Sequence, residues 1–123
     1  MSSVRPKVIV KIQSDLSNRF RVVDNTGEDK KVIGSQIPDV LIFRKDSTDN
    51  SETPLFIMKV ENGGDLADSL ASWKDLGKVP STFYIVTSKE KLDEAKKLAG
   101  ATEINARFAW YENKVGEIIV HYE

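Results

Sequence analysis

Two apolar segments, "LFIMKVE" (55–61) and "TFYIVTS" (82–88), constrain the fold more than any other feature of this 123-residue chain. Each has the length and β-branched or aromatic content of a buried strand. The connection between them, "NGGDLADSLASWKDLGKVPS", is too long for a hairpin. It opens on turn chemistry and then places Leu66, Leu70 and Trp73 on one face of a helix that stops at Gly77. A strand–helix–strand crossover implies a parallel pair, and a sheet with parallel strands needs helices over its faces. The expectation is a three-layer α/β/α domain around a mixed sheet.

The other segments extend this frame. Val8, Ile12, Leu16 and Phe20 recur every four residues, as on one face of an amphipathic helix, although the β-branched opening also permits a strand. "RFRVVDNTGED" reads as a short strand entering an Asn-Thr-Gly turn. Gly34–Ser35 breaks the chain ahead of "DVLIF", a strand entered through Pro38, where a missing N–H does least harm. "RKDSTDNSETP" is a polar hairpin loop. Asp65 is placed to cap the crossover helix, and Thr87 with Glu90 forms a capping box for "KEKLDEAKKLAG". "ARFAWYENKVGEIIVHYE" closes the chain as two strands around "ENKVGE". The order is α-β-β-β-α-β-α-β-β in a single domain, 1–123.

Composition narrows the chemistry. There is no cysteine and one histidine, His121, so thiol catalysis, cysteine-bound zinc and a Ser-His-Asp triad fall away. Eighteen Lys and Arg balance nineteen Asp and Glu, which argues against a broad electrostatic sleeve around nucleic acid but leaves room for a local basic groove. No segment approaches the roughly 20 apolar residues of a membrane span, so no membrane partner and a cytoplasmic location are expected. Chemistry must run on carboxylates, lysines and hydroxyls. Side chains alternate along a strand, so Lys59 and Glu61 share one face while Met58 and Val60 take the other. A hairpin to the preceding strand brings Asp39 towards them. Two carboxylates can hold Mg²⁺, which activates water, and a lysine can steady charge developing on a phosphate. A solvated strand face carries the same residue types.

The "IPD" strand entrance and the "IMKVEN" strand, in this order of elements, resemble the PD-(D/E)xK nuclease superfamily, whose fold is restriction-endonuclease-like. That family places a metal-binding Asp first, then acid–x–lysine on the next strand. Asp39 matches the first element. The second departs from it, because Lys59–Val60–Glu61 carries the charges in reverse order. The resemblance implies a Mg²⁺- or Mn²⁺-dependent nuclease acting on DNA, or a relic of one. Asp39 and Glu61 would ligate the metal with the Val60 carbonyl, Lys59 would stand at the phosphate, and a homodimer is expected. The alternatives are a non-catalytic module that binds nucleic acid or protein on the same fold, and an α/β interaction protein unrelated to phosphates. The basic pairs Lys30–Lys31 and Arg44–Lys45, with Ser35 and Gln36, are candidate nucleic-acid contacts. Gln13 and Asp15 are the nearest substitutes for the further glutamate ligand of many members. Trp73 is expected in the core, and Trp110 and Tyr111 point to opposite faces, leaving one as a stacking or oligomer surface.

Overall fold

The computed structural model describes residues 4–28, 30–48, 52–61 and 64–123. Helix α1 (Arg5–Leu16) carries Pro6 in its first turn, where proline's missing N–H has no partner to lose, and buries Val8, Ile9 and Ile12. The helix stops at Leu16. Phe20, four residues further on, lies in strand β1 (Phe20–Asp24) instead of continuing the helical face. The chain then forms β2 (Val40–Arg44) and β3 (Phe56–Val60). A 3₁₀ turn (Leu66–Ser69) leads into α2 (Leu70–Leu76), followed by β4 (Thr82–Ser88). A second 3₁₀ turn precedes α3 (Leu92–Ala101), and β5 (Arg107–Lys114) and β6 (Glu117–Tyr122) complete the order.

The six strands lie side by side in chain order. β1–β2, β2–β3 and β5–β6 are antiparallel, while β3–β4 and β4–β5 are parallel. The crossover therefore gives the expected parallel pair. Alternation sorts the strand residues into two cores. Val40, Ile42, Met58, Val60 and Val86 pack with Val8, Ile9 and Ile12 of α1. Leu41, Phe43, Ile57, Phe83 and Ile85 pack with Trp73 and Leu76 of α2 and Ala95 and Ala99 of α3. The molecule is a mixed α/β structure with helices on both faces of the sheet.

Three local expectations change. The crossover helix is split, because Leu66–Ser69 winds as 3₁₀ before α2 begins, although Asp65 does cap it by accepting the Ala67 amide at 3.0 Å. Thr87 is not a helix cap. It is fully buried in β4 and its hydroxyl donates to the Ser88 carbonyl at 3.0 Å, so the turn that follows has no side-chain cap and α3 starts only at Leu92. The final hairpin is tighter than "ENKVGE", with Val115 and Gly116 alone at its tip, both at positive φ (52° and 79°). Such a turn favours Asn-Gly, and a β-branched residue there is strained. Asn62 and Gly63, in the predicted turn after β3, and residues 49–51 of the polar loop lie outside the described residues.

Candidate functional site

Asp39 immediately precedes β2, opposite Lys59 in the register that pairs Val40 with Met58. Its carboxylate is only 5% exposed and is already engaged. Oδ2 accepts the Val60 amide at 2.7 Å, continuing the β2–β3 ladder by one step with a side chain. Oδ1 lies 3.5 Å from the guanidinium of Arg5, the first residue of α1. Asp39 thus ties the start of α1 to the end of β3. Val60 meets it through its amide, and the Val60 side chain belongs to the α1-side core.

A polar concavity of about 190 Å³ surrounds this carboxylate, lined by Arg5, Asn25, Thr26, Lys30, Ile37 and Lys59 as well as Asp39. Its wall is built by Asn25, which is buried and fully used. The Asn25 amide donates to the Lys31 and Pro38 carbonyls, both at 2.9 Å, and its oxygen accepts the Lys31 amide at 2.8 Å. This one side chain ties Lys31 and Pro38 to the end of β1. The charges are three cations to one carboxylate, and the positive end of α1 adds to the cations. Lys59 is half-buried and Lys30 exposed, and neither has an ion pair among the described residues.

Glu61 is elsewhere. It continues β3 by one residue, its amide donating to the Val86 carbonyl at 2.7 Å, and its side chain runs under α2. There Oε1 accepts the Ser69 hydroxyl at 2.5 Å and Oε2 the Trp73 indole N–H at 3.2 Å. Its backbone carbonyl takes the Tyr111 hydroxyl at 3.1 Å. Burial, followed by the charges of Glu90 and Glu61, raises the Tyr111 pKa, which keeps that phenol protonated and donating. Glu61 is 8% exposed and does not line the concavity.

The structure therefore brings Asp39 and Lys59 together and sends Glu61 to a separate seat. The donor set does not suit Mg²⁺ or Mn²⁺, which want several oxygens in near-octahedral array. All four carboxylate oxygens of Asp39 and Glu61 already face protein donors, and two lysines and an arginine crowd the only one of these acids in the concavity. Among the described residues no three His, Cys, Asp or Glu side chains gather as a metal group.

The remaining candidates divide similarly. Lys30 lines the concavity, whereas the Lys31 ammonium donates to the Glu52 carbonyl at 2.9 Å. Ser35 and Gln36 both donate to the Asp75 carboxylate of α2 at 3.1 Å; the Gln36 bond, then the Ser35 bond, lower the Asp75 pKa. Arg44 and Lys45 lie at and beyond the far end of β2. Arg44 is 3.7 Å from Asp46, and Lys45 donates to the Ser17 and Asn18 carbonyls. Gln13 donates weakly to the Val22 carbonyl, and Asp15 takes Lys11 and the Tyr122 hydroxyl. Trp73 is fully buried, Tyr111 is in the α1-side core, and Trp110 is half-buried and stacked on His121 at 5.4 Å.

Sequence reading missed Arg5, Asn25 and the Ser69–Trp73 pair. The signals were present. Arg-Pro opens a helix, Asn25 sits in a turn, and Ser69 and Trp73 are four residues apart on one helical face. No family model, curated protein or solved structure matches the chain. No helix among the described residues is long and apolar enough to cross a membrane.

Proposed function

We propose that this protein is a non-catalytic nucleic-acid-binding module on a restriction-endonuclease-like arrangement, and that it engages the phosphate backbone of DNA through the Asp39–Lys59 concavity. The carrying observation is the convergence of Arg5, Lys30 and Lys59 on one small polar hollow, with Asp39 holding Arg5 in place. Cations gathered around a polar hollow suit phosphate oxygens, and each such contact releases counterions. A second observation favours binding over cleavage. If Lys59 is taken as the lysine of an acid–x–lysine pattern, the acid position falls on Ile57, which is fully buried in the core under α2 and α3. Asp39 then serves as the strut that sets Arg5, and no metal step is needed.

The test is fluorescence anisotropy of a labelled DNA duplex over a range of salt, with a parallel Mg²⁺ or Mn²⁺ cleavage assay. Lys59→Ala and Lys30→Ala are each expected to weaken binding and to reduce the slope of log affinity against log salt by about one. Uncut DNA in the presence of either metal is the expected companion result. Metal-dependent cleavage abolished by Asp39→Ala would overturn the non-catalytic reading in favour of a nuclease. Binding that is indifferent to Lys59 and Lys30 would remove the concavity from the function altogether.

A further inference from the structure

A second hollow, of about 110 Å³, lies at the other end of α1 and shares no residue with the Asp39–Lys59 concavity. Twelve helical residues, about 18 Å, separate the two. Ile42 and Met58 form its floor, and Leu16 from the last turn of α1 closes one side. Its walls are aromatic rings from four different strands: Phe20, Phe56, Tyr84 and Tyr122. Phe20 and Phe56 meet edge to face, with centroids 5.6 Å apart and planes at 81°. Phe56 and Tyr84 do the same at 6.0 Å and 64°. The rings enclose a space instead of lying flat on one another.

The polar groups at the rim are already committed. Tyr122 donates its hydroxyl to Asp15 Oδ2 at 3.1 Å, and Tyr84 donates to the Glu123 carbonyl at 3.4 Å. An occupant must therefore need no hydrogen bond, because a phosphate, a sugar or a primary ammonium would be desolvated there without partners. A small hydrocarbon and a quaternary ammonium both satisfy that condition. The electrostatics separate them. Ring faces carry negative quadrupole density, which attracts cations that lack N–H groups. Asp15 adds a carboxylate at the rim, shared with Lys11 at 3.3 Å. The negative end of α1 points this way with no basic residue in its last turn, and the Lys45 ammonium already sits on the Ser17 and Asn18 carbonyls beyond that end.

We infer that this aromatic-walled hollow is a binding site for a trimethylammonium group, the head shared by choline and by trimethylated lysine. The test is a proton NMR titration with tetramethylammonium chloride at constant ionic strength, beside 3,3-dimethylbutan-1-ol, the uncharged carbon isostere of choline. Saturable binding of the cation, with its methyl signal shifted upfield by the rings and the alcohol bound more weakly, is the expected result. Phe56→Leu should weaken binding about 3- to 30-fold, and Asp15→Asn, which removes only a rim charge, should weaken it by less. Choline and the amide of N-acetyl-trimethyl-lysine then distinguish the two sources, the tighter of them naming the ligand. An unshifted methyl signal in the unmodified protein, or an alcohol bound as tightly as the cation, would overturn the inference. Both readouts use the native sequence, so they stand whether or not a variant folds.

Discussion

Asp39 and Glu61 are both nearly buried, stand at the ends of adjacent strands and have both carboxylate oxygens engaged by protein donors, yet their surroundings differ in kind. Glu61 is met by neutral donors, a serine hydroxyl and an indole N–H, inside a hydrophobic layer. Asp39 is met by a backbone amide and a guanidinium at the edge of a hollow that holds two further cations. Neutral donors around a carboxylate fasten one element to another and leave its negative charge uncompensated, which, after burial and Glu90, contributes to the raised Tyr111 pKa. Cations around a carboxylate leave a surplus of positive charge facing solvent. The first arrangement explains how α2 is seated on the sheet, and the second is where, on the proposed reading, a ligand with negative oxygens would find partners.

The sharpest way to break this comparison is Glu61→Ala. It leaves the buried Trp73 N–H and the part-buried Ser69 hydroxyl without their acceptor and opens a void, and the expected loss is about 3 kcal/mol of unfolding free energy, read by urea denaturation. If instead the variant keeps its stability but loses DNA binding, Glu61 belongs to the site and the contrast fails. Asp39→Asn should have a smaller effect on stability, about 1 kcal/mol, since the amide oxygen can still accept from Val60 and the Arg5 side chain is 40% exposed. Its DNA affinity by anisotropy should fall, because Arg5 loses the strut that sets it, and only partly, because one negative charge also leaves the hollow. A metal-dependent nuclease would show loss of activity in the same variant.

The smallest effect is expected at Glu112, a carboxylate on the outer face of the β5–β6 hairpin that offers a third setting. A hydrogen bond from Lys114, with further ones from His121 and Lys89, outweighs the desolvation that opposes them, and the carboxyl is pulled down to about 2 from an ordinary 4.5. A depressed carboxyl pKa means stability that is present above the unfolded value and lost as pH falls through the folded one. The difference in thermal midpoint between the native protein and Glu112→Gln should therefore be constant above pH ~4.5 and shrink towards pH ~2. Because its partners Lys89, Lys114 and His121 are exposed, the whole difference should also diminish in high salt.

Much of the fold was legible because it rests on periodicity. Strands β3 and β4 were readable as apolar runs, and the helical segment between them required their parallel pairing. Alternation also placed Lys59 and Glu61 correctly on the side opposite Met58 and Val60. What alternation cannot specify is depth. One strand step carries the chain from an open hollow at Lys59 to a closed seat under α2 at Glu61, and which applies depends on where Ser69 and Trp73 land. The capping box at Thr87 failed for a related reason. A Thr-x-x-Glu spacing signals a helix start only when the threonine lies outside regular structure, and the Val86–Thr87–Ser88 stretch continued instead as a strand, all three residues paired with β5 and Val86 also with β3. The basic pair Arg44–Lys45 lies at the end of β2 that is remote from Asp39, about 17 Å off over five residues.

The sheet's spatial order repeats its chain order from β1 to β6. No later strand has to be threaded between two earlier ones. Each has its template already laid when it leaves the ribosome, so assembly can proceed from the N-terminal end without waiting for distant sequence.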